Sequence, residues 1–401
     1  MKLPSDAANA LTALGRLAQE AALPGSQVRR ILSRGLADDS GLHPHSLAKL
    51  IDFFAQGYQP ARLQRALQRA SRGGQWQPLG DVAVVAPGNL PVAAWQAAIE
   101  PLLAGNRVRL RPSRAHAIAA ENLRDALADC DLRVAERLQI VDFDHGDQRA
   151  WASLLDGCAA LAVHGSDQTA VAVLAQAAAS GWSGRLRIHG EMRSLALVDA
   201  EGLRKGGKGL LRRLADDALL GDGRGCMSLR TLVAVGLERP AWQALHGDLH
   251  AALVEAQQRW PVGSGDRQGA TGRQLRRESL ELQEILSNGA LLFSPRDDGW
   301  LASSSDPQWL GEQWPGPGGR DLVLWAAADW PEMRRRWRPW RGRISTLAVA
   351  ADLDQLRMFQ DEMAVPRLCR PGQMQAPRAD RSADGFAPLE GLVRYRDGLD
   401  G

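Results

Sequence analysis

Residues Leu214–Val235 read LADDALLGDGRGCMSLRTLVAV. Apolar residues at helical spacing over Leu210–Leu220 run into a glycine-rich turn, the turn presents Cys226, and the apolar run Thr231–Val235 leaves at once as a strand. Glycines on both sides of the cysteine let the backbone turn sharply and approach a substrate closely. A thiol on such a turn is placed to act as a nucleophile, and nearby backbone N–H groups can receive charge from an attacked carbonyl. A cysteine met alone is more often a small buried apolar residue. The choice therefore rests on what surrounds the turn.

Outward from it, strands alternate with helices. Asp81–Ala86 reads as a buried strand, Pro87-Gly88-Asn89 as a turn and Pro91–Leu103 as a helix. Arg107–Leu110 is a second strand, and Pro112-Ser113 caps a helix running through Ala128. Strands at Leu138–Phe143, Ala159–Val163 and Leu195–Val198 follow, the second of them feeding the helix Gln168–Ala179. This rhythm predicts βαβ crossovers and an α/β fold with parallel strands, which bind ligands at their carboxyl ends. Before it lie helices over Ala10–Leu23, Ser46–Tyr58 (with Ser46 as N-cap) and Gln59–Ala70, ended by a break at Ser71-Arg72-Gly73-Gly74. After it come a helix from Pro240, loops at 261–275 and 302–320, a strand over Arg343–Ala350, a helix over Leu353–Met363 and an irregular tail.

Composition narrows the class. The chain has 401 residues, enough for two or three domains, with 45% hydrophobic and 24% charged residues as in an ordinary folded protein. A net charge of +3 is too small for a dedicated nucleic-acid binder. Cys130, Cys158, Cys226 and Cys369 are far apart, which fits reduced thiols in a cytoplasmic protein and neither a disulfide framework nor a zinc ribbon. No signal peptide or membrane-spanning run is expected.

The motif Gly-x-Gly-Cys-x-Ser-x-Arg-Thr at 223–231 resembles the nucleophile segment of the aldehyde dehydrogenase superfamily. PLGDVAVVAPGNLP at 78–91 resembles its first cofactor-domain strand, and Asn89 falls where a side-chain amide helps to form the oxyanion hole. AGNRVRLRPSR at 104–114 is similar to its second strand and following turn, which implies cofactor contacts from Arg111, Ser113 and Arg114. Arg114 stands where NAD-preferring members tend to carry glutamate. A carboxylate there would repel a ribose 2′-phosphate and an arginine attracts it, so NADPH is expected over NADH. Gly165 and Ser166, opening a helix, resemble the turn set against the pyrophosphate, where free N–H groups and the helix dipole favour an anion.

Within that superfamily the chain resembles the LuxC-type acyl-CoA reductases. RIHGEMRSLALV at 187–198, the cysteine segment, RISTLAVA at 343–350, VPRLCRPGQMQAP at 365–377, Asp384-Gly385 and LEGLVRY at 389–395 occur in order. Hydrolytic aldehyde dehydrogenases carry a water-activating glutamate in a Glu-Leu-Gly-Gly-Lys-Ser segment. Alignment on Ser194 puts His189 there, with Glu191 two residues on. Loss of that base suits an acyl-enzyme that is reduced and not hydrolysed, although a satisfied strand histidine reads equally well.

The resemblance implies an aldehyde dehydrogenase-like fold: an N-terminal helical segment (1–74), a Rossmann-type cofactor domain (75–198), a catalytic domain carrying Cys226 (199–370) and a C-terminal tail (371–401). It implies NADPH-dependent reduction of an acyl-CoA, or of a carrier- or protein-bound acyl thioester, to a fatty aldehyde through acyl-Cys226. Asn89 is the expected oxyanion donor and His189 a further candidate in the site. No metal is expected; an acyl-protein synthetase partner and a homo-oligomer are. The competing readings are an aldehyde dehydrogenase working in the oxidative direction and a non-enzymatic relative serving as a binding platform. His246 and His250 are spaced for a shared metal but lack a third ligand, and read as exposed helical residues. The run MRRRWRPWRGR at 333–343 mixes arginine with tryptophan, which could bind nucleic acid through charge and stacking; the plainer reading is a basic helix end leading into the strand at Arg343, and a middle one is attraction of the phosphates of coenzyme A or an acidic carrier protein.

Overall fold

The computed structural model describes residues 3–71, 74–264, 270–313 and 319–396. The chain forms two units, one of residues 1–40, 47–191 and 376–401 and one of residues 41–46 and 192–375.

In the first unit, strands β1 (Gln75–Pro78), β2 (Asp81–Val85), β3 (Arg107–Arg111), β4 (Leu138–Ile140), β5 (Cys158–His164) and β6 (Arg185–His189) appear in chain order. β2 to β6 make one sheet in the order β4-β3-β2-β5-β6, parallel throughout. From β2 the chain builds outward through β3 to β4, then returns to the other flank of β2 as β5. That reversal makes the carboxyl ends of β2 and β5 the topological switch point, where α/β sheets bind ligands. Ala83, Val85, Leu161 and Val163 pack one face of the sheet against Trp151, Leu154 and Val173 of the crossover helices.

The second unit is built on strands β7 (Arg193–Asp199), β8 (Thr231–Val235), β9 (Leu291–Arg296), β10 (Gly299–Ser304), β11 (Leu322–Ala327), β12 (Ile344–Ala350) and β13 (Leu368–Cys369). Their order is β13-β12-β7-β8-β11-β10-β9, and only the β9–β10 hairpin is antiparallel. Both faces are covered, as a parallel sheet requires. Leu195 and Leu197 point into one core with Trp325 and Phe359, and the alternate residues Ala196 and Val198 into another with Leu214 and Leu249.

The chain returns to the first unit at Ala376, and β14 (Val393–Arg396) pairs antiparallel with β1. The tail expected to be irregular thus contains a strand. Its register is set by the partner β1, which local periodicity does not show.

Several expectations shift. Leu195–Val198, placed at the end of the cofactor domain, lies in β7 and pairs with β8 and β12 of the second sheet. Segment 187–198 therefore contributes to two sheets, divided at Gly190-Glu191-Met192. Ser46 caps nothing: the helix Pro44–Gly57 begins at proline, whose fixed φ and missing N–H suit a first turn, and Ser46 is buried within it. The Leu210–Leu220 helix is the second half of Ala200–Leu219, kinked at Gly207. Residues 270–275, read as loop, belong to the helix Ala270–Leu286, whose polar face carries pairs such as Arg277–Glu281 at 2.9 Å. Ala302–Ser304 end β10, and Pro307–Gln313 form a 3-10 helix. The expected break at Arg72-Gly73 and the remaining loop residues 265–269 and 314–318 lie outside the described residues, as do 397–401.

Candidate active site

The helix Ala200–Leu219 ends where Gly221, Asp222 and Gly223 take three successive left-handed conformations, with φ of 63°, 55° and 62°. At Gly223 an added Cβ would lie 1.9 Å from the carbonyl oxygen of Gly319, so only glycine fits. Asp222 is buried beneath this turn and accepts a hydrogen bond at 3.1 Å from Arg320, itself buried. Arg320 also donates to Asp298 and to the Leu219 and Trp260 carbonyls. Burial pushes the Asp222 carboxyl up, against the pull of Arg320 and Arg224. Asp222, paired with Arg224 as well as Arg320, thus belongs to the ion network that shapes the turn.

Cys226 emerges from the turn exposed. Its carbonyl accepts the Ser194 hydroxyl from β7 at 2.7 Å, and the Ser228 hydroxyl two residues on accepts from the Gln375 amide. Further back, the buried Asp217 carboxylate accepts the N–H groups of Gly372 (2.5 Å) and Met374 (3.0 Å), tying the Pro-Gly-x-Met segment to the helix that leads into the turn. Burial pushes Asp217 up to about 7, opposed by those two N–H groups and by Arg367.

The other expected residues gather at the carboxyl ends of the first unit's strands. After β2, the Asn89 side-chain oxygen accepts the N–H of Leu90 at 3.0 Å, which fixes the rotation of the carboxamide. After β3, the Arg111 guanidinium lies over Phe143 and Trp151, 4.8 and 5.1 Å from their centroids, and donates to the Phe143 carbonyl. Ser113 does not cap with its side chain; a 3-10 turn over Arg114–His116 precedes the helix Ala117–Cys130. A Cβ on Gly88 would sit 3.2 Å from Ser113, so the β2 and β3 loops adjoin. Arg114 is exposed and pairs with Asp144 at 2.5 Å. After β5, Ser166 caps the helix Asp167–Ala179, accepting from the Thr169 N–H at 3.1 Å. A Cβ on Gly165 would press on Thr169 at 2.9 Å.

These residues fit a dinucleotide. Among the described residues the buried Ser113 hydroxyl has no hydrogen-bond partner, a capped helix N-terminus faces the same edge of the sheet, and Arg114 offers a cation at the surface.

The sequence matches the family model described as Acyl-CoA reductase (LuxC) over residues 33–395. The chain belongs to the LuxC acyl-CoA reductase family. That family consists of oxidoreductases acting on acyl and aldehyde groups. No curated protein matches the sequence. Solved structures with the same fold include an NAD-dependent aldehyde dehydrogenase from Sinorhizobium meliloti, 13% identical, with a TM-score of 0.71 over 97% of this chain and 81% of that one. Another is a succinic semialdehyde dehydrogenase from Streptococcus pyogenes in complex with NADP+, 10% identical, TM-score 0.70, covering 98% of this chain and 90% of that one. At these identities they establish the aldehyde dehydrogenase-like fold of this LuxC-family chain and nothing finer.

In this LuxC-family chain His189 ends β6, is 6% exposed, and its Nδ1 lies 2.8 Å from Oδ2 of Asp384. The ring stacks on His164 with centroids 4.2 Å apart and planes within 4°. Glu191 is exposed, its N–H bonded to Asp167. The sequence carried Asp384-Gly385 as a family mark without a role. The His189 contact spans 195 residues and leaves no local signal.

His246 corrects an expectation: it is buried, with Nδ1 2.6 Å from the Ser303 hydroxyl and Nε2 2.8 Å from that of Ser294. Burial and nearby His250 push it down to about 4. Among the described residues no cluster of three or more His, Cys, Asp or Glu is arranged for a metal, and no helix is long and apolar enough to cross a membrane. In the arginine–tryptophan run, Trp337 is buried and Arg334 is held by Gln355 and Glu362, while Arg335, Arg336, Arg338, Arg341 and Arg343 are exposed.

Proposed function

We propose that this protein reduces an acyl thioester (acyl-CoA, or an acyl group on a carrier or partner protein) to an aldehyde, using NADPH and a covalent acyl-Cys226 intermediate. The observation that carries the reading is Cys226: an exposed thiol three residues beyond the left-handed turn Gly221–Gly223, in a chain of the LuxC family. Its sulfur attacks the thioester carbonyl carbon, the bond to the coenzyme A sulfur breaks, and that thiolate leaves. The Asn89 carboxamide supplies a neutral N–H donor for the oxyanion, as does the Cys226 backbone N–H. A reduced nicotinamide dinucleotide, when bound, would supply a hydride to the carbonyl carbon of the Cys226 thioester. The carbon–sulfur bond of the resulting hemithioacetal then breaks, which releases aldehyde and returns Cys226 as thiolate. His189, enclosed at the end of β6, stands where hydrolytic relatives carry a carboxylate, and acts as the base that receives the thiol proton. Ser113, Gly165 and Ser166 hold the dinucleotide, Arg111 flanks it, and Arg114 exchanges Asp144 for the 2′-phosphate.

The test is oxidation of NADPH and NADH by purified protein across short, medium and long acyl-CoAs. Aldehyde formation should prefer NADPH and vanish in Cys226→Ala, and Arg114→Glu should lower the NADPH-over-NADH ratio of kcat/KM by roughly 10- to 100-fold. Coenzyme A-dependent oxidation of aldehydes without thioester reduction would favour the oxidative reading. Failure of Cys226 to take up an acyl group from any thioester would favour a binding platform.

A further inference from the structure

We propose that Asp384 is a positioning residue that holds the His189 proton on Nδ1, so that the lone pair resides on Nε2. The inference rests on the base role given to His189 above and names what sets up that base. Three observations meet at this point. Nδ1 of His189 lies 2.8 Å from Oδ2 of Asp384. Its Nε2 is buried and, among the described residues, has no hydrogen-bond partner. The ring cannot turn freely, because it is stacked flat on His164 and packed against Phe386, 5.2 Å between centroids. A carboxylate is an acceptor only, so a neutral imidazole facing it must present N–H from Nδ1. Leaving a buried nitrogen unsatisfied is unfavourable, which argues that Nε2 is reserved for a reacting proton.

Asp384 is delivered by a turn suited to it. Ala383 and Phe386 exchange backbone hydrogen bonds of 3.0 and 2.9 Å, and between them Asp384 and Gly385 have φ of 51° and 94°. Two left-handed residues in a two-residue loop make a type I′ turn, which favours Asn, Asp or Gly followed by Gly. The same turn presents Phe386 to Arg187, whose guanidinium lies 4.9 Å from the ring centroid. Among the described residues, the charged and titratable groups near His189 include His164 from β5, Arg187 from β6, Glu100 from the helix Pro91–Leu103 and Asp384 from the C-terminal segment, with Arg381 acting on His164. Burial, with the nearby cations Arg187 and Arg381, pushes His164 well below the ordinary imidazole range. His164 thus stacks as a neutral ring, and Asp384 is the carboxylate bonded to the His189 ring.

The turn also supplies clean variants, since Asp384→Asn and Asp384→Gly both keep a residue at ease with positive φ. The first measurement is a long-range nitrogen–proton NMR spectrum of the histidine-labelled full-length protein, with His189→Gln to identify the signal. The expected result is the Nδ1–H tautomer of His189 in the unaltered protein and a shift toward Nε2–H, or a mixture, in both variants. An Nε2–H ring in the unaltered protein, or an unchanged tautomer in a folded variant, overturns the proposal. The second measurement is the rate of Cys226 acylation by an acyl-CoA, which should fall roughly 10- to 100-fold in both variants with KM unchanged. A fall in melting temperature at an undiminished acylation rate would mean that the pair only fastens the C-terminal segment, and also overturns it. The tautomer is read without turnover. An unaltered protein that shows the Nδ1–H ring but never acylates would therefore defeat the functional reading and leave the role of Asp384 in setting the tautomer standing.

Discussion

At the residue scale, the four thiols differ in chemistry because they differ in burial. Burial pushes Cys130 and Cys158 up to about 11 and Cys369 to about 12. At pH 7.5 a thiol of pKa near 11 is thiolate in roughly one molecule in three thousand, and only the thiolate is a nucleophile. Cys226 is exposed. Brief iodoacetamide treatment at pH 7.5 should therefore modify Cys226 first, with each of the other three at least tenfold slower by peptide mass mapping. Faster labelling of Cys130 or Cys369 would remove the distinction on which the nucleophile assignment leans. Cys226 and Ser166 were legible in the sequence because turn, cap and glycines lie within a few residues of them. Asp384 was legible as a mark but not as a partner, since β6 and the Asp384 turn meet only through the fold. His246 was misread for a related reason: its helix pattern shows spacing, whereas the hydroxyls that bury it come from β9 and β10.

At the element scale, the cysteine turn is held from below by charge. Asp222 and Arg320 are each about 1% exposed in their side chains and sit 3.1 Å apart, with Asp298 on the other side of the guanidinium. Glycine takes the left-handed region freely, but Asp222 between the two glycines does not, and such a conformation persists only where its surroundings over-determine it. The network supplies that determination. Removing one partner of a buried pair leaves an uncompensated charge, at a cost of about 3–5 kcal/mol. Arg320→Met should therefore lower the melting temperature by about 6–20 °C in a unit of this size. Asp222→Asn keeps the shape and one acceptor and should cost far less. The discriminating measurement is thermal unfolding of both variants beside Cys226→Ala, which disturbs no ion pair and should melt like the unaltered protein. Equal melting of Arg320→Met and the unaltered protein would show that backbone contacts alone maintain the turn. The element pattern around the turn was readable from periodicity; the network was not, because Asp222, Asp298 and Arg320 come from three separate loops.

At the scale of the whole molecule, the chain leaves its first unit after Glu191 and returns to it at Ala376. The returning segment is fastened at every few residues. Asp380 accepts hydrogen bonds from Arg65 at 2.8 Å and Arg378 at 2.6 Å, and Arg69 reaches its carbonyl. The carbonyl of Leu392 accepts from the Asn106 amide at 2.9 Å, whose oxygen in turn accepts the N–H groups of Leu79 and Gly80, and the Tyr395 hydroxyl donates to the Ala70 carbonyl. A stretch without hydrophobic periodicity looked like a tail because its order comes from polar contacts with distant residues. Asp380 makes this attachment sensitive to acid. Burial alone would raise its carboxyl, but hydrogen bonds and charge from Arg378 and Arg65 outweigh it and hold the group down to about 2. A carboxyl whose folded pKa is depressed stabilises the fold above its unfolded value near 4 and loses that contribution as pH falls toward 2. Both arginines are half exposed, so screening trims the effect to about 1–2 kcal/mol. Chemical denaturation of the unaltered protein and Asp380→Asn should thus differ by that amount at pH 6, and the gap should narrow by about half at pH 3. A gap that stays constant between those values would mean that Asp380 acts through packing and not through its charge.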